Sequence, residues 1–498
     1  MTSQGVDEEG VGDCVDEEAP LLSGEDKTVH SSSQYQSRNH IVPENCCHPL
    51  SRSYKIMFCV LASLMCFGPQ CAYDSIGAAG PFLRKVMGLH AEAIGELYSA
   101  YHLPNTFMVI IGGLLTDRIG TSSSCILCLL LICAGTSLVA FCNSFRLMLI
   151  GRLIFGLGSE TLTIVQLSII TRWFSNSKSF PSLAVAMGSA NAISSLGTVF
   201  VYYSVPMLGS AHVHHALFIF GLIPSVGSLL VGFLVIFLDE HAQNTLLKEE
   251  RSSDLADAQH VDGKGSLQSQ ARHRRKSSIH KNEDVLSVAA IWAGISRFSS
   301  LFWMLIVYIV FYTGATQAWG NFATDMFVEE FHFSAVRAGR LTGAATFLAT
   351  ALIIPLGYVV DILGHRGTML VVGALLLFVA HTLLQFRPTI NPYVGVSIIG
   401  VAMSVIQASV YPSIARAVPQ RLRGTAFGLT SAAMNISMVF FPFFTGYIHD
   451  LSNSYSIPMD MFLGYDVCCI LISFVLMSTV VWRKILQSPY DEDGPSSI

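Results

Sequence analysis

Long apolar runs dominate this sequence and decide what it can fold into. About twelve stretches hold roughly 20 mostly apolar residues each, the length that an α-helix needs to cross a bilayer. They are Tyr54–Gly80, Ile94–Thr116, Ser122–Phe141, Leu147–Ile170, Leu183–Pro206, His215–Leu238, Leu301–Phe322, Gly339–Val360, Thr368–Leu384, Val394–Ile414, Thr425–Ile448 and Phe462–Val481. Only 13% of the residues are charged, against roughly 25% in soluble domains. The sequence therefore predicts an all-α membrane protein with twelve transmembrane helices.

Polar segments flank these runs and divide them into two groups of six. Residues 1–53 are acidic and polar, and residues 239–298 include a long stretch with almost no apolar content. Most of such a segment cannot bury a core. We therefore predict a disordered tail, a six-helix bundle over 54–238, a linker loop, a second bundle over 299–484, and a short tail over 485–498.

Positive charge is distributed unequally between the two sides of the membrane. No positively charged region leads into a short apolar stretch at the N-terminus, so we expect no signal peptide. Connections on the side of the N-terminus carry more Lys and Arg than those on the other side, where two loops have neither. Since Lys and Arg accumulate in cytosolic loops, both termini, the linker and the tails are expected in the cytosol.

A short motif recurs at equivalent places in the two groups. GGLLTDRIG follows the second run and GYVVDILGHRG follows the eighth. Such a repeat indicates a duplicated, pseudo-symmetric transporter. Asp117 and Asp361 stand at helix ends, where each carboxylate can accept hydrogen bonds from a neighbouring helix N-terminus or an arginine. We assign them, with Arg118 and Arg366, to a gating latch; ordinary helix-end charge is the alternative.

An acidic residue lies deep in the fourth run, which reads GRLIFGLGSETLTIVQ. Glu160 is about 21 Å along the helix from Arg146 at 1.5 Å per residue, near the middle of the membrane. A carboxylate at that depth is costly unless it is paired or hydrated. It could bind an amine, carry a proton, or form a structural ion pair with Arg152, which we also assign to gating.

Other polar and aromatic side chains interrupt the apolar runs and are candidate ligand contacts, because small organic ligands favour such surfaces. Packing between helices is the alternative for each of them. They are Tyr73 and Asp74 in the first run, Gln166 in the fourth, Asn191 in the fifth, Tyr312, Gln317 and Trp319 in the seventh, Tyr411 in the tenth, and Asn435 in the eleventh.

Several function classes find no support in the sequence. It has no nucleophile–base arrangement, phosphate-cradling loop or metal-ligand spacing, so we expect neither an enzyme nor a cofactor or metal. No basic field with interleaved aromatics indicates nucleic acid. In the N-terminal tail, Glu17 with Leu21 and Leu22 fits an acidic dileucine pattern, which looks like an adaptor-binding signal for endosomes and lysosomes.

Together these motifs resemble the major facilitator superfamily. SLMCFG with YDS, GGLLTDRIG, GRLIFGLGSE and YPSIARAVPQRLRGTAFGL are similar to its branch of lysosomal dipeptide transporters. The resemblance implies alternating access and uniport of dipeptides, especially cationic ones, from lysosome to cytosol. It also implies that Glu160 binds the substrate amine, that clathrin adaptors read the dileucine signal, and that the partners are a glycosylated lysosomal accessory membrane protein and a second copy of the chain.

The fifth run departs from that branch. It reads AVAMGSANAISSLGTVF, with Asn191 and Ser195 but without the arginine that would suit a peptide carboxylate. Two alternatives therefore stay open. One is a carrier of another small organic solute, such as a sugar, an amino acid or an organic anion. The other is a nutrient sensor or scaffold that moves no solute.

Overall fold

Helices make up every element of the part of the chain that the computed structural model describes, which is residues 48–49, 51–174, 183–208, 216–260, 298–386, 391–419, 422–479, 482 and 486. The first half comprises α1 (Arg52–Leu64), α2 (Phe67–Met87), α3 (Ala91–Ile119), α4 (Thr121–Phe141), α5 (Phe145–Phe174), α6 (Leu183–Ser204) and α7 (Ile223–His260). The second half comprises α8 (Ser300–Thr313), α9 (Trp319–Glu329), α10 (Ala335–Leu363), α11 (Arg366–Gln385), α12 (Pro392–Ala417), α13 (Arg423–Ser452) and α14 (Ser456–Ser478).

Ten segments in the described ranges are both long and apolar enough to cross a membrane. Each of the pairs α1 with α2 and α8 with α9 forms one such segment. The helices α3 and α6 have 29 and 22 residues, or about 44 and 33 Å at 1.5 Å per residue, which also spans the ~30 Å hydrocarbon core. With these two, the described ranges contain twelve helical segments long enough to cross a membrane, as the sequence predicts.

The first crossing segment is broken between α1 and α2, and other helices satisfy the backbone groups released there. The side chain of Gln166 donates to the carbonyl of Ala62 at 2.8 Å. The hydroxyl of Ser228 accepts from the backbone N–H of Gly68 at 3.0 Å. Irregular backbone at membrane depth is tolerated only with such partners, so α5 and α7 hold the break in place.

The helix α7 continues to His260, well into the segment that we expected to be a loop from residue 239. Asp239 accepts a hydrogen bond from the indole of Trp173 at 2.7 Å and one from Arg172, both in the last turn of α5. These two hydrogen bonds attach α7 to α5 where the apolar part of α7 ends. The residues that follow include Leu, Lys, Glu and Ala, which are good helix formers.

The two halves repeat one packing plan. In the first half, α4 packs on α5, α3 on α5, α4 on α7 and α2 on α6. The equivalent pairs in the second half, which are α11 with α12, α10 with α12, α11 with α14 and α8 with α13, also pack together. The contacts between halves follow the same symmetry, because α3 meets α13, α6 meets α10, and α2 meets α9. The prediction of two pseudo-symmetric six-helix bundles is confirmed.

Glycines bring the halves into close contact along two equivalent seams. Gly95 and Gly339 are each the fifth residue of a 29-residue helix, α3 or α10. A Cβ on Gly95 would lie 2.3 Å from the carbonyl oxygen of Pro442 in α13. A Cβ on Gly339 would lie 2.4 Å from the carbonyl oxygen of Tyr202 in α6. Backbones can approach this closely only where no side chain intervenes.

This seam predicts that alanine substitution changes the stability of the protein differently at two glycines of α3. Gly95→Ala should destabilise the protein by about 1–3 kcal/mol, because the added methyl overpacks a backbone contact that cannot move freely. Gly113→Ala in the same helix should be neutral or stabilising, since a Cβ there meets nothing within 4 Å. Thermal unfolding of the purified variants measures the difference. Equal melting temperatures would contradict the close packing of α3 on α13.

Candidate functional site

Glu160 lies in the middle of α5, with about 22 Å of helix before it at 1.5 Å per residue. Two glycines fix α5 against its neighbours. A Cβ on Gly156 would lie 2.3 Å from the carbonyl oxygen of Tyr101, and one on Gly158 would lie 2.5 Å from that of Cys128. The Glu160 side chain is partly exposed. Among the described residues it has neither a hydrogen-bond nor an ion-pair partner.

Helices of both halves surround this carboxylate. Tyr101 of α3 donates to the Ser159 hydroxyl at 2.9 Å, directly beside Glu160. Tyr101 and, from the second half, Tyr411 lie within electrostatic range of Glu160. Glu160 is therefore flanked by one tyrosine from each half. We call Glu160, Ser159, Tyr101, Tyr411 and the exposed Thr163 one turn further along α5 the central site.

Arg152 does not pair with Glu160, so the ion pair that the sequence left open is wrong for the described structure. Only 1% of Arg152 is exposed. Its guanidinium donates to the carbonyls of Leu97, Ala72 and Tyr73 at 3.2–3.4 Å. It also lies 5.3–5.5 Å from the ring centroids of Tyr73, Tyr98, Tyr101 and Phe155. Carbonyls and aromatic faces thus hold the guanidinium, and Asp74 lies within electrostatic range of it. Arg152 joins α2, α3 and α5.

A chain of hydrogen bonds links the halves beside the central site. The Tyr73 hydroxyl lies 3.0 Å from Nε2 of His102, and Nδ1 of His102 lies 2.7 Å from Oδ1 of Asn435 in α13. Nδ2 of Asn435 donates to the carbonyl of Ser431 at 3.0 Å. Oδ1 must then accept, so Nδ1 of His102 carries a proton and donates to Asn435, while Nε2 is engaged with the Tyr73 hydroxyl.

Two predicted contact residues of the first half are buried in its interior. Asp74 is 5% exposed and accepts from Gln70 at 2.8 Å and from Thr198 of α6 at 2.6 Å. Gln166 is occupied at the break of the first segment, as described above. In this structure both side chains join helices of one bundle, and neither meets the central site through a hydrogen bond.

Predicted contact residues of the seventh segment point in different directions. Tyr312 is buried and accepts from Gln407 of α12 at 3.0 Å. Trp319 is buried against His381, which bonds Asp466 at 2.6 Å inside the second bundle. Gln317 is exposed between buried neighbours, in a π-helical turn over 314–318.

Gln317 and Asn191 lie on helix faces that meet the other half. Gln317 is three residues before Gly320, whose carbonyl accepts from Tyr202 of α6 at 3.1 Å. Asn191 is exposed and shares a helix face with Tyr202, about three turns away at 3.6 residues per turn. Both side chains are therefore exposed on the segments that form this contact between the halves.

The residues assigned to the gating latch lie at the end opposite to this contact. The side chains of Asp117 and Asp361 are outside what the structure describes. Arg118 is exposed, and Arg366 is fully buried at the start of α11. The latch stays a prediction, and the sorting residues Glu17, Leu21 and Leu22 also lie outside the described residues.

Charged side chains join the halves where α2 ends and α3 begins, which we call the closed end. Arg84 of α2 pairs with Asp325 at 2.6 Å and Glu329 at 2.9 Å, both in α9. The Tyr455 hydroxyl donates to the same oxygen of Asp325 at 2.8 Å. His449 of α13 lies 3.1 Å from Glu329. A network of several charges is worth more than an isolated surface pair.

Asp450 adds a helix cap across the two halves. Its carboxylate accepts from the backbone N–H groups of Ala91 at 3.1 Å and Glu92 at 2.8 Å, the first residues of α3. The residue at the N-cap position of α3, His90, makes no side-chain cap of its own. A carboxylate suits these free donors and the positive end of the helix dipole. The cap can persist only while α13 stays against α3.

The remaining hydrogen bonds between halves among the described residues are concentrated in the same part of the molecule. Ser99 donates to a carbonyl of α13 at 2.5 Å, and Tyr202 donates to Gly320. The deepest is the bond between His102 and Asn435. Towards the opposite end, α3 and α13 approach near Val109 and Gly428 without a described hydrogen bond.

Sequence reasoning missed the closed-end residues and His102. Arg84, Glu329 and Asp450 each stand near a helix end on one side of the membrane, which the run boundaries could have shown. The sequence does not reveal which of them meet, because their partners are over a hundred residues away. Within the described ranges, no group of three His, Cys, Asp or Glu side chains is arranged to hold a metal.

The closed end predicts that Asp450→Ala weakens the contact between halves. Losing a cap costs about 1 kcal/mol, which shifts a two-state population roughly fivefold towards separation. Spin labels at Lys85→Cys and His332→Cys, both exposed positions near the closed end, would report a longer distance in this variant. Asp460→Ala is the matched control, because Asp460 bonds only Gln385 of its own half among described residues. An unchanged distance in both variants would exclude Asp450 as a closing contact.

Comparison with known proteins gives the same architecture. The model of the Major Facilitator Superfamily matches residues 57–442 and, in a second match, 304–492. The chain is 24% identical over 446 residues to the "Lysosomal dipeptide transporter MFSD1" of Danio rerio, covering 86% of this chain and 88% of that protein. The Homo sapiens protein of the same name is 24% identical over 449 residues, covering 87% and 88%.

A solved structure resembles the fold as a whole. The crystal structure of the nucleoside transporter NupG superposes with a TM-score of 0.61, covering 84% of this chain and 98% of that one at 13% identity. At this identity the likeness concerns the fold alone.

Proposed function

The chain belongs to the Major Facilitator Superfamily and is a membrane transporter rather than an enzyme, and from this premise we propose that it carries small, preferably cationic peptides out of lysosomes by alternating access. The observation that carries the proposal is Glu160. It is a mid-membrane acid without a described partner, partly exposed between the two halves. The names of the relatives in Danio rerio and Homo sapiens support the peptide and the lysosome.

The central site is suited to an ammonium group. A carboxylate in a low-dielectric space gains most from a cation that can also donate hydrogen bonds. A primary ammonium has three donors, of which Glu160 takes one or two. The hydroxyls of Thr163 and Tyr411 are exposed nearby and can accept another. The substrate thus supplies the positive charge for Glu160, which has no ion-pair partner among the described side chains.

The closed end is assigned to the lumen. Basic residues accumulate at the opposite end, including Arg118, Arg172, Arg366 and Arg423, and the positive-inside rule makes that end cytosolic. The described state is then closed to the lumen. Glu160 exchanges its ligand with the cytosol in this state, which suits release of a peptide carried out of the lysosome.

Return to the lumen-facing state requires the closed-end contacts to break. The halves rock about the central site, so Arg84 leaves Asp325 and Glu329, and Asp450 uncaps α3. At the cytosolic end the latch of Asp117 and Asp361 forms in exchange. No contact proposed here consumes a proton or ion, which fits uniport. Association with a glycosylated accessory protein, and with a second copy of the chain, stays a prediction from resemblance.

Glu160→Gln should weaken binding of lysylalanine about 10- to 100-fold, since a charge-assisted hydrogen bond contributes about 1.5–3 kcal/mol. Uptake of labelled lysylalanine into proteoliposomes and its thermal stabilisation of the protein measure this. Glu96→Gln, a partly buried acid of α3 outside the central site, is the control for loss of a membrane carboxylate. Undiminished uptake by Glu160→Gln would remove this acid from the substrate site. Absence of uptake by every form of the protein would favour a sensor.

The N-terminal tail predicts where the protein resides. Replacing Leu21 and Leu22 together by alanine should move the protein from lysosomes to the cell surface, because adaptors would no longer read the acidic dileucine. Surface biotinylation and co-localisation with a lysosomal marker measure the change. Val29→Ala in the same tail serves as the control. Continued lysosomal residence of the double variant would show that another signal sorts the protein.

A further inference from the structure

We propose that the central site selects its solute by positive charge alone, so that a free carboxylate on the solute contributes nothing to binding. This rests on the proposed function of the same site and narrows its substrate class. The ligands would be primary ammonium compounds, which include basic peptides with either a free or an amidated C-terminus and small diamines.

The first support is the distribution of fixed positive charge. In the middle of the described helices the fixed cation is Arg152, and it is fully engaged. Its guanidinium donates to three carbonyls and is enclosed by four aromatic rings, with 1% of its surface exposed. Reaching a solute would require α2, α3 and α5 to separate.

The other described Lys and Arg side chains are remote from the central site. They lie in the first two or last turns of the helices or in the extension of α7, and they are Arg52, Lys55, Arg84, Lys85, Arg118, Arg146, Arg172, Lys248, Arg251, Arg337, Arg340, Arg366, Arg416 and Arg423. Because crossing helices are over 30 Å long, none of these near-terminal positions is at the depth of Glu160.

Histidine does not supply the missing cation either. Both ring nitrogens of His102 are already engaged, Nδ1 with Asn435 and Nε2 with Tyr73, and only 6% of the residue is exposed, so it offers a solute no free donor. His381 is fully buried and paired with Asp466 inside the second bundle. A solute carboxylate would therefore meet only neutral donors, such as the exposed side chains of Gln317, Asn191 and Tyr411.

The charge of Glu160 then determines whether a peptide with a C-terminal carboxylate or one with a C-terminal amide binds more tightly. A carboxylate entering this space is stripped of part of its hydration and approaches the uncompensated charge of Glu160. Neutral hydrogen bonds can at most offset that loss. An amide donates and accepts the same kind of hydrogen bonds without the charge penalty. Replacing the acid by an amide should therefore leave binding unchanged or improve it.

The test compares matched ligands on the wild-type protein, so no variant needs to fold. Lysylalanine, its C-terminal amide, cadaverine (1,5-diaminopentane) and N-acetylalanylalanine compete for uptake of labelled lysylalanine into proteoliposomes, and each is tested for thermal stabilisation. The amide should bind at least as tightly as the acid, and cadaverine should also bind. N-acetylalanylalanine should neither compete for uptake nor stabilise the protein. An amide more than about threefold weaker than the acid would show that the carboxylate contributes to binding and would overturn the inference.

The outcomes separate this inference from the proposed function. If the amide and cadaverine stabilise the protein but lysylalanine is not carried, selection by charge stands and dipeptide transport fails. If lysylalanine is carried and its amide neither binds nor competes, dipeptide transport stands and the inference fails. If no ligand of the panel binds, both fail. Glu160→Gln should weaken both ligands, and the amide at least as much as the acid, because the variant also removes the repulsion between Glu160 and the carboxylate of the acid. A larger loss for the acid than for the amide would contradict a shared ammonium contact.

Discussion

A carboxylate held at mid-membrane without a counter-ion is the constraint on which the rest of this structure depends. Such a group is costly in lipid and persists only where water or a cation reaches it. Glu160 is partly exposed and lies within electrostatic range of a tyrosine from each bundle, and we propose that water and solute reach it between them. Arg152 is the nearest cation on the same helix, but backbone carbonyls and aromatic rings bind its guanidinium, so it does not pair with Glu160. The protein thus leaves one negative charge for a solute to neutralise.

The scaffold keeps that charge in place through close helix packing. Gly156 and Gly158 press α5 onto α3 and α4, and Gln166 of the same helix holds the break in the first crossing segment. The two bundles meet along equivalent glycine seams, where backbones touch and side chains do not intervene. Ionic contacts and the Asp450 cap are added at one end only. This asymmetry between the two ends lets a pseudo-symmetric molecule close one entrance and leave the other free of described hydrogen bonds.

The sequence predicted the fold almost completely, because twelve apolar runs and a repeated motif leave few alternatives for a membrane protein. It also placed Glu160 in the middle of a helix, and the structure has it there. It could not show which way each polar side chain faces, since helix periodicity gives a face only relative to neighbours that are unknown. Asp74, Gln166 and Trp319 consequently turned out to be buried within one bundle. His102 was overlooked for the same reason, because a lone histidine in an apolar helix carries no signal until Tyr73 and Asn435 are seen beside it.

Access of water to Glu160 from one side of the membrane is the most direct test of this account. A Glu160→Cys variant, in a background without other reactive cysteines, is treated in oriented vesicles with a charged, membrane-impermeant thiol reagent. The account predicts modification from the cytosolic side in the described state and protection by a cationic peptide. A thiol that remains unmodified from either side, while the protein is folded, would place residue 160 in lipid or solid protein and contradict the carrier mechanism.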